Sequence, residues 1–304
     1  AVNPPGHFVF EPVAIEKLFK KYSVLCAKDA YCSSRTPDLM ATLKEVSTHM
    51  PESWMGIPIH RDLILMGTTF MMMESVAYPG DPVPVSGPAA IDMWLDAAEG
   101  DASGMALASL AMPIVLSNFT GGHFYSMGLC DYQKTDRDYK NELMLPGNIT
   151  GSPMSLLYWA VGQGWSNHCE EDYPKVLPSD IETLLINGNI DGSTFVQFAR
   201  DELLPNLKNG HLVILKDIGH TVSFWNSQTE ARSHLINTFF ESGQVDDSHY
   251  THQSVVFDID SSWDGLVTKL IIVLIVILIV LILLIFFIIR SVRKRLDKRA
   301  ALAK

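Results

Sequence analysis

The sequence predicts an α/β fold in its last soluble third, a mostly helical region before it and one C-terminal transmembrane helix. Three observations carry this. Residues 183–221 (TLLINGNIDGSTFVQFARDELLPNLKNGHLVILKDIGHT) read as buried strand, turn with an acid, helix, second buried strand and a loop with a histidine. Residues 11 to about 145 place apolar side chains at helical spacing, without a run of strands. Leu270–Ile289 is an unbroken run of twenty apolar residues.

Along the chain, residues 1–10 read as a strand exit and loop broken by Pro-Pro-Gly. Ile15, Leu18, Tyr22 and Leu25 then share one helical face. Pro37 opens a second helix with Leu39, Met40, Leu43 and Val46 turned inward. Further helical stretches cover 61–76, 88–98 and 103–112, with a Gly/Pro-rich link at 78–88.

TLLIN (183–187) and HLVIL (211–215) have the pattern of parallel strands covered on both faces. Between them, Thr194 and Gln197 have the spacing of a capping box. Phe195, Phe198, Ala199 and Leu203 follow on one face, and Pro205 stops the helix. Such a βαβ unit places Asp191 and His220 after the carboxyl ends of two strands, where open sheets put their sites. A carboxylate that can orient an imidazole is two-thirds of a nucleophilic triad. Alone, Asp191 is an ordinary Asp-Gly turn residue and His220 an ordinary loop histidine. The order strand–Asp–helix–strand–Gly–His singles them out as candidate catalytic residues. A last amphipathic helix follows, with Ser227 and Glu230 as its capping box and Ala231, Leu235 and Phe239 as its buried stripe.

The twenty-residue apolar run spans about 30 Å as a helix, the thickness of a bilayer core. After it, RSVRKRLDKRAALAK carries seven Lys/Arg against one Asp. The positive-inside rule puts this tail in the cytoplasm and everything before residue 266 on the other side. Trp263 is expected at the membrane interface. The chain has 23 basic and 34 acidic residues, so the part outside the tail keeps 16 and 33. An ectodomain that acidic excludes nucleic acid as a partner.

Cys26, Cys32, Cys130 and Cys169 are an even count in a non-cytosolic domain, which predicts two disulfides over four free buried thiols. Three pairings are open, and Cys26–Cys32 closing a short loop is the natural one. No CxxC, Cys/His cluster or HExxH spacing points to a metal, and no cofactor is expected. Ala1 follows neither an initiator Met nor a signal peptide, so the chain reads as the C-terminal part of a longer protein.

With these pieces the chain resembles the C-terminal part of an α/β-hydrolase. More narrowly, it is similar to the tripeptidyl- and prolyl-aminopeptidase branch of serine exopeptidases (peptidase family S33) with its TAP-like C-terminal region. LCAKDAYCSSRTPDL (25–39) resembles the paired-cysteine start of that family's helical lid. LINGNIDGSTF (185–195) resembles its Gly-x-x-Asp-x-x-Thr-Pro turn, with Phe195 where Pro is usual, and LKDIGHT (215–221) its Gly-His turn. GLCDY (128–132) and HCEEDYP (168–174) resemble a second cysteine pair, which implies Cys130–Cys169. The resemblance covers about residues 1–240. It implies Asp191 and His220 as two members of a Ser-Asp-His triad.

The family's Gly-x-Ser-x-Gly elbow is absent. GQGWS (162–166) and GGHFYSMG (121–128) have the wrong spacing and no preceding strand. The resemblance therefore implies a nucleophile in an N-terminal half upstream of Ala1, and this chain alone is expected to be inactive. The implied domains are a strand exit (1–10), a helical lid (11–175), a hydrolase core (176–241), a polar stalk (242–265), a transmembrane helix (266–290) and a basic tail (291–304). The implied partners are a small peptide or ester substrate, the missing N-terminal half, and the bilayer through residues 270–289. Met66, Met71, Met72 and Met73 line a substrate pocket or fill the core, and Met suits irregular gaps. Lid acids hold a free amine in aminopeptidases of this branch, and Glu45, Glu52 and Glu74 are candidates by location. An ester- or lipid-hydrolysing enzyme and an inactive cell-surface binding protein are the alternative functions.

Overall fold

The computed structural model describes residue 4 and residues 12–77, 85–132, 138–162, 164–166, 175–220, 222–259 and 262–302. Residues 1–3 and 5–10 of the expected strand exit, most of the 78–88 link and Cys169 lie outside the described residues. The chain divides into two units, Ala1–Asp260 and Ser261–Lys304.

The first unit begins with α1 (Pro12–Cys26), α2 (Ala30–Arg35) and α3 (Leu39–Thr48). Ile15, Leu18, Phe19 and Tyr22 form the buried stripe of α1, as their spacing dictates. Asp29 caps α2 by accepting the Cys32 amide, and Asp38 caps α3 by accepting the Ala41 amide. The second helix therefore starts after Asp38 rather than at Pro37, because the carboxylate captures a free amide of the first turn.

The Cys26–Cys32 disulfide joins the end of α1 to α2, and both cysteines are buried. It closes a loop with a sequence separation of 6. Replacing both cysteines with alanine should lower stability by about 2 kcal/mol, read by urea unfolding. No change in the midpoint would show that packing alone holds this corner.

A hairpin of β1 (Ser53–Trp54) and β2 (Ile57–Pro58) follows, which the helical reading did not foresee. Its two turn residues, Met55 and Gly56, both have positive φ, the geometry that matches strand twist. Next come α4 (Arg61–Met71), α5 (Gly87–Ala98), α6 (Ser103–Ser117), α7 (Gly121–Tyr132), α8 (Tyr139–Glu142) and α9 (Pro153–Gly162). Ser86 caps α5, with Pro88 in its first turn. Helix α6 continues through Pro113, which forfeits one backbone bond. Helix α4 ends five residues before its expected end at 76. The Met73 and Glu74 carbonyls accept from the amides of His220 and Gly87 instead of continuing a helix.

Tyr31 and Arg35 of α2 face an acidic stripe on α5. The Arg35 guanidinium lies 2.6 Å from Asp92, 2.7 Å from Asp96 and 2.8 Å from Glu99. It also lies 5.5 Å from the Tyr31 ring centroid. Asp92 is buried, so one cation fastens two helices across a low-dielectric contact.

The α/β part holds β3 (Thr183–Gly188) and β4 (Gly210–Leu215), paired in parallel from Thr183↔Gly210 to Gly188↔Leu215. The crossover is a short α10 (Val196–Phe198), a wider π turn (Ala199–Leu203) and a tight turn containing Pro205 (Leu204–Asn206). After β4 come α11 (Val222–Trp225) and α12 (Thr229–Ser242). Ala231 and Leu235 of α12 pack on Val213, Leu215, Ile218 and Phe224. This covers one face of β4, while Ile214 is 45% exposed. The expected cover on both faces is therefore not seen for β4 among the described residues, where Val213, Ile214 and Leu215 alternate as in a one-sided strand. The Thr194–Gln197 capping box does not form, because the Thr194 hydroxyl bonds Asp191, and the last helix starts one residue later than its expected box. The N-cap positions are Phe195 and Gln228, and neither makes a side-chain cap bond.

Residues 246–257 run back along this unit. His234 pairs with Asp246 at 2.9 Å and stacks on His249. Gln228 and Thr251 exchange two hydrogen bonds, and His252 reaches Asp217 at 2.7 Å. Phe257 is buried edge-on against Tyr22 of α1. Phe257→Ala should therefore cost about 3 kcal/mol, measured by thermal or urea unfolding. A loss under about 0.5 kcal/mol, the size of an ordinary surface substitution, would mean that this segment does not hold the fold.

The second unit is one 40-residue helix, α13 (Trp263–Leu302). It contains the one described helix long and apolar enough to cross a membrane, Trp263–Lys294. The helix runs on through the basic tail, whose Lys, Arg, Leu and Ala are strong helix formers.

Candidate active site

The loops after β3 and β4 meet at the carboxyl edge of the parallel pair. Asp191 lies three residues past Gly188, and His220 five past Leu215. Two glycines allow the close approach. A Cβ on Gly188 would strike the carbonyl oxygen of Ile218, and one on Gly219 the amide nitrogen of Ser75. The amide of Gly219 donates to Ser75 Oγ at 3.0 Å, and the amide of His220 to the Met73 carbonyl at 2.7 Å. The turn after α4 thus holds the histidine loop from the helical side.

His220 Nδ1 is 2.9 Å from Asp191 Oδ2. The Asp191 side chain is fully buried, and that of His220 is 24% exposed. The amides of Ser193 and Thr194 both donate to Asp191 Oδ1 at 2.7 Å, and the Thr194 hydroxyl donates to Oδ2 at 2.6 Å. The two residues singled out from the sequence are therefore hydrogen-bonded to each other. Burial acts to lower the His220 pKa. The hydrogen bond and charge of Asp191, with the charge of Glu74, outweigh it and leave the pKa above the usual histidine value.

Of the three acids proposed from location, Glu74 is the one beside this pair, since its charge acts on His220. Glu45 is exposed on α3 and pairs with His49, and Glu52 precedes the β1–β2 hairpin, also exposed. Met66, Met71 and Met72 are core residues, at 8% exposure or less. Met73 differs. Its carbonyl holds His220 and its side chain packs against a cluster of Met66, Met112, Met154 and Tyr158. Trp94 is packing, its indole bonded to Thr68.

Thr194, Ser75 and the Met73 carbonyl were not read as site groups. For Thr194 there was a signal. An acid followed by polar residues two and three positions on is the pattern of an Asx turn, which folds the carboxylate onto its own backbone. For Ser75 and Met73, more than 140 residues from His220, the local sequence holds none. Among the described residues no cluster of His, Cys, Asp and Glu could hold a metal ion. Cys130 is disulfide-bonded, while Cys169, the partner the resemblance assigns to it, is outside the described residues. GGHFYSMG (121–128) lies within helix α7, not on a strand-to-helix elbow.

An acid and a histidine so joined, on loops after adjacent parallel strands, form a pair in which the carboxylate can orient the imidazole for proton transfer. Residues 155–251, about a third of the chain, match the family model described as TAP-like protein, of the α/β-hydrolase group. The matched stretch contains β3, β4, Asp191 and His220. It supports the α/β-hydrolase superfamily and a hydrolase in general. No curated protein and no solved structure matches the chain.

Proposed function

We propose that this chain supplies the acid and the base of a membrane-anchored serine hydrolase. The observation that carries this reading is the 2.9 Å bond between His220 Nδ1 and the buried Asp191 carboxylate. In the proposed reaction His220 Nε2 takes the proton of a serine hydroxyl as the oxygen attacks the acyl carbon. It then gives that proton to the departing amine or alcohol, and water repeats the cycle on the acyl-enzyme. Asp191 holds the imidazole in register and stabilises the imidazolium. The serine comes from a segment upstream of Ala1, since no Gly-x-Ser-x-Gly occurs in this chain. The lid is residues 11–175, and the substrate is a short peptide entering by its amino end. Helix α13 anchors the protein, with the basic tail in the cytoplasm and the hydrolase unit outside.

A fluorophosphonate probe tests this on the protein that carries the upstream segment. Labelling of one serine, lost in His220→Ala, supports the reading. A protein that takes no label supports the alternative, an inactive surface binder, which gains most if the upstream segment holds no Gly-x-Ser-x-Gly. Turnover of aminoacyl-naphthylamides over nitrophenyl esters separates peptidase from esterase.

A further inference from the structure

We infer that Thr194 is the positioning residue of this site, fixing the His220 imidazole with its proton on Nδ1 and a free lone pair on Nε2. The inference rests on the hydrolase reading and deepens it. Spacing assigns the Thr194 hydroxyl to a helix cap, yet it points at Asp191 Oδ2 at 2.6 Å. A hydroxyl has one proton, and an ionised carboxylate has none to offer, so that proton lies on the Asp191 side. The lone pairs of Thr194 Oγ1 then face His220 Nδ1 at 3.2 Å.

Nδ1 thus meets two acceptors, Oδ2 at 2.9 Å and Oγ1 at 3.2 Å. Only a protonated Nδ1 satisfies both. A bare Nδ1 would set its lone pair against two oxygens in a site closed to water on the Asp191 side, which is strongly unfavourable. With one ring proton on Nδ1, Nε2 is the basic nitrogen, as a general base requires.

Thr194 also fixes the acid itself. Its amide holds Oδ1 and its hydroxyl holds Oδ2, so one residue restrains both carboxylate oxygens against rotation. Its own backbone is held in turn, because Asn187 Nδ2 donates to the Thr194 carbonyl at 3.1 Å. Asn187 and Thr194 are both buried. The chain of contacts runs from the end of β3 through Thr194 and Asp191 to the imidazole.

The test is long-range proton–nitrogen NMR of the His220 ring in the full chain in detergent, comparing wild type with Thr194→Val and Thr194→Ser. Wild type should show a protonated Nδ1 and a bare Nε2 once the ring is neutral. Thr194→Val should shift the tautomer ratio toward Nε2–H by about fivefold, the effect of one lost hydrogen bond. Thr194→Ser should restore the wild-type ratio. If the valine variant does not fold, Thr194→Ala removes the same hydroxyl without a second methyl and carries the same expectation. An unchanged ratio in valine or alanine overturns the role of Thr194 while leaving the Asp191–His220 pair intact. A bare Nδ1 in wild type overturns the pair itself, and the hydrolase reading with it.

Discussion

Asp191→Asn, placed in the protein that carries the nucleophile, should lower kcat by about 10⁴-fold, the scale of losing the acid of a triad. An amide cannot balance the imidazolium and can present its NH₂ to Nδ1, which favours the wrong tautomer. The same change should move the His220 titration. Burial lowers the His220 pKa, and Asp191 supplies the main opposition, with Glu74 behind it. Without the carboxylate the pKa should fall below the usual value of 6.5.

The sign of the stability effect follows. A histidine whose pKa is raised on folding stabilises the fold fully below its unfolded pKa, and that contribution is lost as pH rises through the raised value. In Asp191→Asn the folded pKa is depressed, so this residue should make the fold more stable as pH rises through about 6.5. NMR titration of His220 in the full chain and urea unfolding between pH 5 and 8 read both. A variant whose His220 titrates as in wild type would remove Asp191 from any catalytic role.

The second large effect is at the contact of α2 with α5. Arg35→Met should destabilise the protein by about 3–5 kcal/mol at pH 8, because it leaves a buried carboxylate without its cation. Asp92 is pushed up to about 6, by burial first and by Asp96 next, against the pull of Arg35 and Tyr31. An acid whose pKa is raised on folding favours the folded state while protonated. Its contribution is lost as pH climbs from the unfolded pKa to the folded one, here from 3.8 to about 6. Without Arg35 that window extends upward, so the penalty should be smaller at pH 5 than at pH 8. Asp92→Asn added to Arg35→Met should recover part of the loss at pH 8. A pH-independent penalty, or one below about 1 kcal/mol, would mean that the cluster behaves as an exposed set of ion pairs.

The elements read well where one physical signal dominated. Twenty apolar residues in a row have no stable place in water, so α13 was visible at once. The stripes of α1 and α12 were legible because their own spacing places Leu18 and Tyr22, or Ala231 and Leu235, on one face. The signals that failed were those a nearer partner could override. Thr194 has a cap's spacing, but the Asp191 carboxylate lies closer to its hydroxyl than any helix amide. Helix α4 was read five residues too long, because nothing local shows that the Met73 and Glu74 carbonyls are taken by distant amides. The β1–β2 hairpin was missed because two-residue strands carry no periodicity.

Asp191 and His220 stand out by their order, each following a short apolar run, and by the resemblance of the turns that hold them. That order reflects chain physics. Parallel strands need a crossover, and the crossover returns both loops to one edge. The sequence could not decide how near the two side chains come or what holds them. Those outcomes depend on the glycines at 188 and 219 letting backbones touch, and on Ser75 and Met73 gripping the histidine loop from far along the chain. Local patterning sets which residues are strand, helix or membrane span, because each is a property of neighbours in sequence. Only packing between distant segments decides a hydrogen bond between two loops, because its length is set by everything that presses on both.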